Sequence, residues 1–174
     1  MPRTDLIRPI AETKKLSDFF IDLLTSDLTD EQSNQRVREP EGASIVWHLG
    51  HLCHARCELL TVVGEEVNNT FEPLFERRIS ATDGTNYPGI SAMRKSWEDL
   101  AEHVSDVLEN VTTEQLFVSL EGMGQPHGEK NVLGVVSYVM WHEVYHIGQI
   151  GTVRTLLGLP STFDRMVETS APGD

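Results

Sequence analysis

A chain of 174 residues with a formal net charge of −13 is long enough to bury a core without disulfide or metal staples. Its acidic field repels phosphate backbones and anionic lipid surfaces, which argues against nucleic acid and membranes as partners. No apolar run approaches the roughly 20 residues needed to cross a bilayer, and the opening MPRTDLIRPIAETKK lacks the layout of a secretory signal. A single domain over residues 1–174 and a cytoplasmic location are expected.

In chain order, the pattern predicts helices and almost no strand. Leu6, Ile10, Leu16, Phe19, Phe20, Leu23 and Leu24 recur at helical spacing, giving a first helix from about Asp5 to Thr25 with Pro9 tolerable near its start. After the polar stretch EQSNQRVREPEG, Ser44 can cap a second helix through IVWHLGHLCHARCELLTVV that stops at Gly64. Residues from Glu65 to Gly89 contain Pro73, Pro88 and several turn signals and form a long crossover connection.

A third helix is predicted from about Ile90 to Glu109, with Met93, Trp97, Leu100, Val104, Val107 and Leu108 along one face. FVSLEGMGQPHGEKN forms either a tight hairpin or a loop. The fourth helix starts near Asn131 and ends where Gly158 and Pro160 forbid continuation. Being apolar around most of its circumference, it is expected to be the most buried, and the tail from about 162 is expected to be loosely held. The fold class is therefore all-α, a four-helix bundle with one long crossover.

The chemistry is concentrated on the second and fourth helices. His142 and His146 stand i, i+4, two imidazoles on one face about a turn apart, and on so apolar a helix two unpaired rings would be costly, so a shared metal ion explains them economically. On the second helix His48, His51 and His54 fan out at about 60° intervals. The apolar stripe of Leu52, Ala55, Leu59 and Val62 lies on the His48 side, so His54 is expected to face solvent. Periodicity does not choose between His48 and His51. Cys53 and Cys57 fall on the far side of the helix from His51 and read as reduced core thiols.

SIVWHLGHL (Ser44 to Leu52) and WHEVYHIGQI (Trp141 to Ile150) together resemble the DinB/YfiT family of metal-binding four-helix bundles. The specific part is a histidine before a leucine on the second helix and His-x-x-x-His followed by Gly-Gln on the fourth. The resemblance implies His51, His142 and His146 as ligands of one divalent ion, often zinc or nickel. It also implies frequent homodimers and, in characterised relatives, transfer of low-molecular-weight thiols onto small electrophilic substrates or use of a thiol cofactor in isomerisation.

Three neutral histidines leave a coordination position open, where a bound water or thiol becomes a nucleophile near neutral pH. A second reading is a non-catalytic metal- or small-ligand-binding, stress-related protein. HEVYH, His142 to His146, also spells the HExxH zinc-hydrolase signature with Glu143 as base, but Gln149 and Thr152 stand where a metzincin needs glycine and histidine. Beside a ligand, Glu143 serves either to orient it or as a solvated neighbour. His103 and His127 are expected at the surface, Trp47, Trp97 and Trp141 in packing roles, and Arg154 in a structural ion pair.

Overall fold

The structure, a computed structural model, describes residues 5–38, 42–69, 72–75, 87–120 and 129–170. After a short 3-10 turn the helices are α1 (Arg8–Thr25), α2 (Asp30–Asn34), α3 (Ile45–Val62), α4 (Glu72–Phe75), α5 (Ile90–Asn110), α6 (Thr113–Leu116), α7 (Val132–Leu156) and α8 (Thr162–Ser170). The four long ones, α1, α3, α5 and α7, make an all-α bundle in which α3 packs on α5 and α7, and α1 packs on α7 and α5. No strand occurs among the described residues.

Local chemistry sets the ends of the two helices that matter most. The Ser44 hydroxyl accepts from the Trp47 N–H at the start of α3, and the Asn131 side chain accepts from the Gly134 N–H at the start of α7; each satisfies a donor that the first helical turn leaves without a partner. Gly158 takes φ +75° just past α7, a conformation that glycine adopts without Cβ strain.

Apolar burial comes in two clusters. One gathers Leu59, Leu60, Val104, Val136, Val139 and Met140; the other gathers Leu49, Leu52, Met93, Trp97 and Ile150. Each fully buried side chain of this kind contributes about 1.5–3 kcal/mol. Between the clusters, on the seam of α3 and α7, lie the polar side chains His48, Arg56, Glu143 and His146, all buried. This polar layer is where the bundle departs from a plain hydrophobic core.

Several expectations need correction. Leu6, in the 3-10 turn before α1, is exposed, and so are Leu16 and Phe19 despite their helical spacing, because α1 turns a wider arc to solvent than its apolar positions suggest. The most enclosed helix is α3, with Ile45–Val62 buried at thirteen of 18 positions against ten of 25 in α7; α3 has neighbours on both flanks, whereas Trp141, Val144 and Tyr145 of α7 face outward. The tail is not loose over 162–170: it forms α8, tied back by Arg165 to the Leu23 carbonyl at 3.2 Å and to Ser26 at 3.2 Å.

Of the crossover from Glu65 to Gly89, the described parts include α4, whose Phe75 stacks on Tyr87 at 5.5 Å and is buried. Gly50 of α3 makes this possible, since a Cβ there would collide with the Phe75 ring. The hairpin alternative gains support at its base, where Leu120 N–H donates to Lys130 O at 2.9 Å and Ser119 bridges Asn131; residues 121–128, with His127, lie outside the described residues.

Candidate metal centre

Helix geometry brings His142 and His146 over one another on α7, and α3 lays His51 against them. The three ligand nitrogens fall within 4.8 Å of one another: His51 Nε2 to His142 Nε2 is 3.2 Å, and His146 Nε2 to His142 Nε2 is 3.0 Å. A tetrahedral ion with metal–nitrogen bonds of about 2.0–2.1 Å separates its ligand nitrogens by about 3.3 Å, so the spacing is that of a shared ligand set. His48, the alternative that periodicity left open, stands behind it, with Nδ1 2.9 Å from Nδ1 of His146.

The protons strengthen this reading. His51 Nδ1 lies 3.2 Å from the Phe75 carbonyl, which only accepts, so His51 carries its proton on Nδ1 and turns a bare Nε2 lone pair inward. One proton on His142 Nε2 would serve at most one of the two facing nitrogens. A cation is what such a convergence of lone pairs accommodates, and a backbone carbonyl on the distal nitrogen is a common way to orient a ligating histidine.

Aromatic rings hold the ligands in place. Trp47 stacks on His51 with centroids 4.9 Å apart and planes at 13°, and Tyr138 stacks on His142 at 5.8 Å and 16°. Burial, followed by the neighbouring His142, His48 and His51, pushes His146 from 6.5 down to about 2; burial, then His51, brings His48 to about 4. Both rings are therefore neutral at physiological pH, the state a metal ligand requires. His51 and His142 are half-buried and line a cleft of 160 Å³ with Ala55, Glu58, Tyr138 and Val139, so the cluster is reachable from one side.

Residues 21–150 match the family model of the DinB superfamily. The chain belongs to the DinB superfamily. The matched span includes all three clustered histidines, two of the four long helices, α3 and α5, in full, and most of α7. No curated protein is similar enough in sequence to count as a match.

Within this DinB-like bundle the other singled-out residues find definite places. Glu143 is fully buried, and both its oxygens accept from Arg56, at 2.7 Å from Nε and 3.0 Å from Nη2. Its carboxylate is committed to that pair, away from the base role that HExxH chemistry demands. Arg56, which the sequence reading passed over, is also fully buried, meets Asp18 at 2.9 Å and lies over the Trp97 ring at 3.4 Å. Burial works against its charge, but Glu143 and Asp18 more than offset it and raise its pKa.

His54 is 5% exposed rather than solvent-facing, because Asn69 of the crossover folds over it and donates Nδ2–H to its Nδ1 at 2.9 Å. Trp141 is 59% exposed rather than packed inside; it stacks on Tyr145 at the surface. Cys53 and Cys57 are buried, and burial pushes the Cys53 thiol far above its ordinary range, which removes it as a nucleophile. Arg154 forms the expected structural pair, donating to Asp27 at 2.9 and 2.8 Å and to the Leu24 carbonyl at 2.8 Å. His103 sits near the surface against Glu65 at 3.1 Å.

Proposed function

We propose that the protein holds one divalent ion, zinc or nickel, on Nε2 of His51, His142 and His146, and that it is a metal-dependent thiol transferase acting on a small electrophilic substrate. The observation that carries this reading is the convergence of three imidazole nitrogens within 4.8 Å beside a cleft that two of them line. Three protein ligands leave a position for an exogenous group, and a bound ion supplies the Lewis acidity that makes a thiol or water nucleophilic near neutral pH.

The chain's own residues supply orientation. Phe75 and Trp47 hold His51, Tyr138 holds His142, and Ala55, Glu58 and Val139 line the cleft by which a thiol would enter. Neither Cys53 nor Cys57 is available to act as the thiol, so it comes from a low-molecular-weight cofactor. Reduced buried cysteines fit the cytoplasm, where such thiols are abundant.

The test is a cobalt-substituted sample titrated with 2-mercaptoethanol. Direct thiolate ligation produces a charge-transfer band, and the loaded protein then accelerates consumption of an electrophile by the thiol. Cobalt bound with neither effect would replace the transferase with a non-catalytic metal-binding protein.

We further propose that the protein is a homodimer through the face of α1, α7 and α8. That face holds a groove of 620 Å³ with Leu16, Val144 and Phe163 standing beside Gly148 and Gly151, and among the described residues none that lines it is charged. In a chain of net charge −13, an uncharged face carrying both knobs and a hollow is where two copies meet without repulsion, as an isologous contact requires. Sedimentation that gives a monomer at micromolar concentration would refute this.

A further inference from the structure

The buried His48 has no part in the three-histidine cluster, yet its Nδ1 meets Nδ1 of His146 at 2.9 Å. A neutral imidazole has one donor and one acceptor nitrogen, so this contact admits only two arrangements. In the first, His146 donates from Nδ1 and His48 accepts; His146 Nε2 is then bare and faces the cluster. In the second, His48 donates, which places the His146 proton on Nε2, where it blocks ligation.

We infer that His48 is a positioning residue that selects the ligating tautomer of His146, by presenting an unprotonated Nδ1 and carrying its own proton on Nε2. This deepens the metal-binding reading and rests on it. The surroundings favour that state of His48. Its ring also lines a second cleft, of 430 Å³, with Arg38, Gln149, Thr152 and Leu156, so water can satisfy the Nε2–H. A T-shaped contact with Trp47, centroids 5.5 Å apart, fixes the ring plane, and Trp47 is the same residue that stacks on His51.

His48 therefore does for His146 what the Phe75 carbonyl does for His51. The difference is in kind: a carbonyl can only accept, whereas an imidazole accepts only in one tautomer. The two chain-supplied acceptors come from different elements, one from the crossover and one from α3 itself. Removing such an outer partner weakens metal affinity by about 10–100-fold.

The experiment measures zinc dissociation constants by chelator competition for wild type, His48→Phe and His48→Gln, with apo melting temperatures recorded alongside. His48→Phe keeps a flat ring and loses the acceptor, and its affinity is expected to fall by about 10–100-fold; His48→Gln offers an amide oxygen and is expected to recover most of it. Long-range 1H–15N spectra of the zinc-loaded wild type, which need no variant to fold, are expected to show His146 protonated at Nδ1 and His48 protonated at Nε2.

Zinc binding by His48→Phe as tight as wild type, or His48 protonated at Nδ1 in the loaded protein, would overturn the inference and leave the metal site standing. A wild type that takes up no zinc would overturn both together.

Discussion

Two polar groups lie side by side where α3 meets α7, and they settle their electrostatics in opposite ways. Arg56 and Glu143 neutralise each other through two hydrogen bonds of 2.7 and 3.0 Å, with Asp18 as a further acidic contact. In the His51, His142 and His146 cluster the inward nitrogens instead face one another at 3.0–3.2 Å, with too few protons to join them. The first group is closed by the chain itself and acts as a clamp between helices. The second asks for a partner from outside, and that asymmetry separates structural from functional polarity in one buried layer.

Breaking the clamp is expected to have the largest effect. Arg56→Leu strands a fully buried carboxylate and should cost about 3–5 kcal/mol, read from urea unfolding of the apo protein. Arg56→Leu combined with Glu143→Leu should recover most of that loss and still bind metal, since no ligand is touched. Loss of metal in a well-folded double variant would mean that the pair belongs to the site.

Gly50→Ala tests the link between the clamp's helix and the crossover. The added Cβ collides with the Phe75 ring, which should cost about 1–3 kcal/mol by overpacking and also weaken metal affinity, because Phe75 supplies the carbonyl that orients His51. A loss of stability with unchanged affinity would show that His51 needs no such support.

The smallest effect is the dependence of apo stability on pH. Burial and neighbouring rings depress His48 from 6.5 to about 4 and His146 to about 2. Below pH 6.5 the unfolded chain takes up protons that the native state refuses, so stability rises with pH across this window. It is fully present above pH 6.5 and declines as pH falls toward about 4, each ring contributing up to about 1.4 kcal/mol per pH unit. Saturating zinc should steepen the decline, because protons and metal compete for the same nitrogens. A flat stability profile between pH 6.5 and 4 would contradict the neutral, buried state of these rings.

Much of this was legible in the sequence, for reasons that particular residues make plain. The i, i+4 pair on α7 announces a shared face by spacing alone, and Ser44, Asn131 and Gly158 mark helix ends through their own side chains or backbone freedom. Periodicity could not separate His48 from His51, since both border the apolar stripe. The choice depends on Phe75, 24 residues away in the crossover, and on which ring reaches across to α7.

His54 was misjudged for the same reason: Asn69 covers it from a segment whose path no helical pattern specifies. Arg56 carried a signal that went unused. It and Glu58 are the only Asp, Glu, Lys or Arg residues in α3, and a charge inside so apolar a helix has to find its opposite, which Glu143 is. Trp141 misled in the other direction, because apolar residues all round a helix do not say which arc the neighbours cover.

The central claim is tested most directly by metal content, measured by plasma mass spectrometry on tag-free wild type, His51→Ala, His142→Ala and His48→Ala after reconstitution at saturating zinc. The account predicts about one ion per chain in wild type, essentially none in His51→Ala and His142→Ala, and retention in His48→Ala with weakened affinity. Retention in His51→Ala with loss in His48→Ala, or no metal in the wild type at all, would contradict it.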